Sequence, residues 1–211
     1  MAVRIVDLSP DDLRTRMGDA LGIYVAAMGY PPGTAAHRAP MWAEHMLRAG
    51  WQAAAAVGDD PSGAAVGDAR SGAAVGDDPS GTGPACAPLL GIAYGYRGAR
   101  RQWWCEEVRS GLLASARSAT AADALLDGYF ELTELHVLPT AQGLGLGEQL
   151  LRRLLAERSE HSVLLSTPEV PQERNRAWQL YRRLGFTDVL RHFRFAGDGR
   201  PFAVLGRDLP L

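Results

Sequence analysis

Between residues 130 and 157 the chain passes from an alternating segment, through a cluster of glycines, into an amphipathic segment. No other stretch limits the fold so much. Phe130-Glu131-Leu132-Thr133-Glu134-Leu135-His136-Val137-Leu138 alternates polar and apolar residues as a half-buried strand does. Pro139 removes a backbone donor and ends it. Leu146, Leu150, Leu151, Leu154 and Leu155 then recur as one face of a helix. The turn between, Gln142-Gly143-Leu144-Gly145-Leu146-Gly147, holds three glycines in five residues. A plain turn needs fewer, and each glycine is costly to order. Without Cβ atoms the backbone can approach a ligand closely. The helix start then aims unpaired N–H groups and the positive end of its dipole at that ligand. An anion, above all a pyrophosphate, suits the place.

Two familiar phosphate loops are excluded. A P-loop needs Lys-Ser or Lys-Thr after its glycines, and this chain has no lysine. The dinucleotide fingerprint G-x-G-x-x-G would need its third glycine at Glu148, not Gly147.

The 211 residues suit one domain spanning 1–211, large enough to bury a substantial core. A formal charge of −2 argues against a general polyanion binder, so nucleic acid is not an expected partner. No apolar run reaches the length of a membrane span, and the first residues lack a signal-peptide pattern. Cys86 and Cys105 form neither a metal pattern nor a disulfide framework, so no metal is expected. Cytoplasmic residence is the resulting expectation.

In chain order, Val3 to Val6 reads as a strand. Ser9-Pro10-Asp11-Asp12 reads as a capped helix start, continuing through Leu13, Met17, Leu21, Tyr24 and Met28 to Gly29. A second helix is expected at about Ala35 to Arg48, closed by Gly50, and a strand over Trp51 to Val57. A nonapeptide motif then occurs three times in tandem, at 55–63, 64–72 and 73–81. Rich in Gly, Asp, Ser and Pro, it cannot bury enough apolar surface to offset ordering entropy. It reads as a flexible insertion at about 58–87 between two hairpin strands, the second at Leu89 to Tyr96. A short helix follows at Trp103 to Leu113, and Ala121 to Leu126 is an ambiguous alanine-rich piece. After the central motif come a buried strand at Val163 to Thr167 and a helix at Asn175 to Leu184 stopped by Gly185. A closing hairpin is expected at Val189 to Ala196 and Phe202 to Leu209.

The helix Asn175-Arg176-Ala177-Trp178-Gln179-Leu180-Tyr181-Arg182-Arg183-Leu184-Gly185-Phe186 puts Ala177, Leu180, Tyr181 and Leu184 on one stripe. Tyr181 there fits a core aromatic or a functional phenol. Gln142, Gly145 and Gly147 fit the pattern Q/R-x-x-G-x-G/A, and Asn175 to Phe186 fits N-x-x-A/W-x-x-x-Y-x-x-x-G-F. Together the two blocks resemble the Gcn5-related N-acetyltransferase (GNAT) superfamily, specifically between Phe130 and Phe186 and loosely before that. The resemblance implies an α+β fold: a central, mostly antiparallel, splayed mixed sheet flanked by helices. It implies acetyl-CoA as co-substrate. The pyrophosphate would lie on Gln142, Gly143, Leu144, Gly145, Leu146, Gly147 and Glu148. The pantetheine arm would lie along Leu135, His136 and Val137, with Asn175 and Tyr181 also touching the cofactor.

Acyl transfer from a thioester to an amine needs positioning, stabilisation of the carbonyl oxygen, and proton transfer. By the resemblance, the Leu135 backbone N–H is the donor to the acetyl carbonyl. Tyr181, with an unperturbed pKa of about 10 against about 8.5 for a thiol, can protonate the leaving thiolate. Glu131, Glu134 and His136 are candidates to accept the amine proton. Strict alternation puts Glu131 with Leu135 and Val137 on one face and Glu134 with His136 on the other. A bulge would reverse that parity. Glu131 sits where histone-acetylating members carry their base.

The acceptor, a small-molecule or peptide amine, is expected between Met28 to Thr34, Trp42, His45 and the Gly197 to Phe202 turn. The segment Arg97 to Asp127, with Trp103 and Trp104, is a candidate lid. Each aromatic residue there also fits core packing. Two rival readings stand beside the N-acetyltransferase: a non-catalytic acyl-CoA-binding module acting as sensor or partner-binding domain, and an enzyme using succinyl or longer acyl groups. A homodimer is compatible with the resemblance, since dimers are common in the family.

Overall fold

The computed structural model describes residues 2–58 and 87–211. The tandem repeat therefore lies outside the described residues from residue 59 onward, while its first four residues, Ala55 to Gly58, end a strand. Among the described residues seven strands form one sheet in the order β1-β2-β3-β4-β5-β7-β6. They are β1 (Val3–Leu8), β2 (Gln52–Gly58), β3 (Leu89–Arg97), β4 (Tyr129–Val137), β5 (Ser162–Pro168), β6 (Thr187–Phe193) and β7 (Phe202–Asp208). Every neighbouring pair is antiparallel except β4 and β5. Those two are parallel because the helix α6 (Leu146–Leu155) connects them. This is the mixed α+β architecture expected from the sequence.

Helices cover both faces. On one lie α2 (Met17–Met28), α3 (Thr34–His45) and α4 (Trp103–Ala114). On the other lie α6 and α7 (Arg176–Arg183). The alanines of β2 explain how closely the layers approach. Ala53 and Ala55 pack against the α2/α3 side, Ala54 and Ala56 against α6, and all four are fully buried. On α6 the five leucines of the predicted stripe are all buried.

Local signals hold at the helix ends. Ser9 and Asp12 form a reciprocal capping box ahead of α1 (Pro10–Thr15). Gly29 ends α2 in the left-handed conformation. The single helix expected from Pro10 to Met28 is broken, however, at Arg16. That side chain is buried, and its Nη2 donates to the Ala87 carbonyl at 2.6 Å. A charged group needing a distant buried partner outweighs continuity of the helix. Helix α3 ends at His45, three residues before the expected Arg48, and α5 (Ala119–Leu125) resolves the ambiguous alanine-rich piece as helix. Strand β6 is displaced toward the N-terminus of the predicted segment.

The feature that positions the site is the separation of β4 from β5. They pair only at Tyr129–Ser162, Phe130–Val163 and Glu131–Leu164. Beyond that point β5 stays with β7 through Pro168, while β4 stays with β3 through Val137. Among the described residues, β4 therefore has no strand on its β5 side from Leu132 to Val137. A bulge lies in the same place: Tyr94 pairs with Glu134 and Gly95 with Leu132, leaving Thr133 as the extra residue.

Candidate active site

A cavity of about 1090 Å³ opens where β4 and β5 part. Its walls come from β4, the glycine turn, α7, α2, α3 and the turn before β7. At one end Gly143 (φ +85°) and Gly145 (φ +76°) hold conformations that L side chains rarely adopt. Gly145 is the N-cap of α6 and supplies no side-chain cap, so the first amides of the helix keep their hydrogens for another acceptor. A Cβ on Gly147 would meet Leu180 of α7 at 3.3 Å, so this glycine serves helix packing. Leu144 points outward and is 62% exposed, leaving the turn unplugged.

Gln142 ties the turn together. Its Nε2 donates to the Val137 carbonyl at 3.1 Å, and its Oε1 accepts from Arg176 Nη1 at 2.9 Å. Glu148 is held by Arg152 and Arg183, which keep its carboxyl below the usual range. Asn175 caps α7, accepting from the Trp178 amide at 2.9 Å. Leu144 apart, all the predicted cofactor contacts, Leu135, His136, Val137, Gln142, Gly143, Gly145, Leu146, Gly147, Glu148, Asn175 and Tyr181, line this one cavity.

At the deep end the bulge corrects the parity expected from alternation. Phe130 and Leu132 pack into the α6 layer before it, and Leu135 and Val137 pack into the same layer after it. Glu131 thus shares the opposite face with Glu134 and His136, and all three line the cavity. Glu131 is 3% exposed; Tyr96 donates to its Oε1 at 2.8 Å, and its Oε2 has no protein partner. Burial pushes its pKa up to about 7, against the opposing pull of the Tyr96 hydrogen bond and Arg48. Glu134 lies 2.5 Å from His136 Nε2, and the His136 ring meets Tyr24 edge-on at 5.1 Å. Tyr181 is buried against Phe186, and burial together with the Glu134 charge pushes its phenol up.

Such a cavity joins a turn with uncapped helix amides, an unpaired strand edge and titratable groups of different environments. The model of the acetyltransferase (GNAT) domain matches residues 99–188. Over its full length the chain is 56% identical to the GCN5-like protein acetyltransferase Rv2170 of Mycobacterium tuberculosis, with 100% of each covered. This chain belongs to the GNAT acetyltransferases. It is an acyltransferase, which removes the non-catalytic reading.

Solved GNAT structures share the fold at low identity. One is an acetyltransferase assigned to the GNAT family from Desulfovibrio desulfuricans (TM-score 0.60, 15% identity, 98% of this chain and 99% of that one). Another is the paiA N-acetyltransferase of Thermoplasma acidophilum in complex with coenzyme A (TM-score 0.52, 12% identity, 99% of this chain and 100% of that one).

The end of the cavity where the acceptor was expected differs in part from expectation. Met28, Tyr30, His45, Gly197, Asp198, Arg200 and Phe202 line the cavity, as do Trp103 and Trp104. Trp42 does not: it is fully buried between Tyr24 and Tyr94 in the α2/α3 core. Sequence reasoning missed Tyr24, Arg38, Met41, Arg48 and Tyr96, which also line it. For the helix residues the missed signal was spacing: Arg38, Met41, His45 and Arg48 repeat at helical intervals.

Proposed function

We propose that this GNAT protein transfers an acetyl group from acetyl-CoA to a primary amine by direct attack within a ternary complex. The observation that carries the reading is the continuity of one cavity from the glycine turn to Glu131, Glu134 and Tyr181. The left-handed glycines and uncapped helix start fit a pyrophosphate. The unpaired β4 edge, Leu132 to Val137, fits an extended amide-bearing arm. In this reading Leu135, His136 and Val137 hold the arm, and the Leu135 N–H polarises the acetyl carbonyl. Glu131 accepts the amine proton, which suits a carboxyl poised near neutrality. Glu134 and His136 line the path between solvent and that base. Tyr181, kept protonated by its raised pKa, hands its proton to the departing thiolate.

Direct attack is favoured over an acyl-enzyme. Cys105, the free cysteine among the described residues, is buried, and burial pushes its thiol up, away from the reactive thiolate. The relative's name, a protein acetyltransferase, makes lysine side chains of proteins the first acceptors to try.

The test is release of free CoA with lysine peptides while both substrates are varied. Intersecting reciprocal plots are expected. Parallel lines, the sign of an acyl-enzyme, would reject direct attack. Succinyl-CoA turned over faster than acetyl-CoA would reassign the acyl group.

A further inference from the structure

The acceptor lobe carries a charge pattern that the transfer reaction does not use. Arg38, Met41, His45 and Arg48 fall at intervals of three and four residues along and just beyond α3, and all four line the cavity. The other cavity-lining arginines are engaged. Arg200 pairs with Asp198 at 2.7 Å and donates to the Tyr30 hydroxyl at 2.8 Å. Arg183 pairs with Glu148, and Arg176 donates to Gln142. Arg38 and Arg48 make no such direct contact with a carboxylate or amide; Arg38 acts on Asp198, and Arg48 on Glu131, only through space. Arg38 lies over the Tyr24 ring at 5.6 Å and meets Met41 Sδ at 3.6 Å. Arg48 lies over the Tyr96 ring at 4.7 Å. Among the described residues neither forms an ion pair.

These two guanidiniums bear on the cavity interior. Burial, and after it Arg48, brings the His45 pKa down to about 4, so His45 stays neutral beside them. Its Nδ1 lies 3.0 Å from the Tyr94 hydroxyl. The lobe thus has carboxylates deep inside, Glu131 and Glu134, and two positive charges along its α3 wall. A bare polyamine gains at the carboxylates but is repelled at the arginines. An amine with negative charge beside it satisfies both, because a planar guanidinium engages a carboxylate through two parallel hydrogen bonds.

Resting on the transferase reading above, we propose that Arg38 and Arg48 select acceptors that carry a carboxylate next to the reacting amine. The carboxylate comes either from acidic side chains flanking a lysine or from the acceptor's own α-carboxyl group.

Matched acceptors separate these cases. Capped peptides with a central lysine flanked by aspartate, alanine or arginine form one arm, and free L-lysine against L-lysinamide forms the other. In at least one arm the carboxylate-bearing acceptor should have the higher kcat/KM by about tenfold or more. If only the peptides discriminate, the source is flanking side chains; if only free lysine does, it is the α-carboxyl group. The double substitution Arg38→Glu with Arg48→Glu should invert the peptide preference toward arginine flanks, a gain that loss of folding cannot imitate. Single Arg38→Gln and Arg48→Gln variants should each reduce the preference ratio. Equal kcat/KM across both arms in the unaltered protein overturns this inference and leaves the transferase reading standing. Bound acetyl-CoA with no acetylation of any acceptor overturns both.

Discussion

The two ends of β4 make different environments from one strand. Tyr129, Phe130, Glu131 and Leu132 are buried, and the first three pair with β5; Thr133 to Val137 are half-buried, with no described strand on that edge. Two glutamates three residues apart consequently differ. Glu131, in the closed end, is pushed up to about 7 by burial and has Tyr96 as its hydrogen-bond partner. Glu134, in the open end, meets His136. In the proposed mechanism one residue type serves as a proton acceptor near neutrality in one place and as a polar lining in the other. What separates them is a single bulged residue and the parting of two strands.

The largest effect is expected across the open end. Tyr181→Phe should lower kcat about 100-fold or more, the usual scale for a lost general acid, with acetyl-CoA affinity changed far less. Unchanged turnover would leave the phenol as core packing alone.

Next come the two glutamates, tested against each other. Glu131→Gln should lower kcat/KM by about 100-fold, the low end of the scale for a lost general base, and Glu134→Gln by less. In the unaltered protein kcat/KM should rise with pH through about 7 and then level, because the base acts deprotonated. That rise should vanish in Glu131→Gln. Equal losses in both variants, or a rise that persists without Glu131, would erase the contrast between the two ends.

At the far end of the cavity, Gly145→Ala forces a Cβ into a left-handed conformation costing about 1–2 kcal/mol. Titration calorimetry should find acetyl-CoA bound roughly tenfold more weakly. An unchanged Kd would remove the turn from the cofactor site.

The smallest effect concerns stability. A buried carboxyl with a raised pKa binds its proton more tightly folded than unfolded. Its contribution is present below the unfolded value and is lost as pH rises toward the folded value of about 7. Glu131→Gln should therefore raise the melting temperature at pH 8 by about 5 °C, and by less at pH 5. A larger gain at pH 5 would contradict the sign of the shift.

Much of the glycine-turn end of the cavity was legible in the amino-acid order, because its determinants are local. Glycines at 143 and 145 are needed where the backbone turns left-handed, the leucines of α6 repeat at helical spacing, and Asn175 caps the helix that carries Tyr181. Such requirements span a few consecutive residues and leave a pattern. The opposite end, around α3, was not legible in that way. Trp42 and Trp104 look alike in sequence and both are buried, yet only Trp104 lines the cavity. The break at Arg16 depends on a carbonyl at Ala87, and the shared face of Glu131 and Glu134 depends on a bulge opposite Tyr94 and Gly95. Those outcomes come from contacts between segments far apart in the chain, and only the packed sheet brings the partners together.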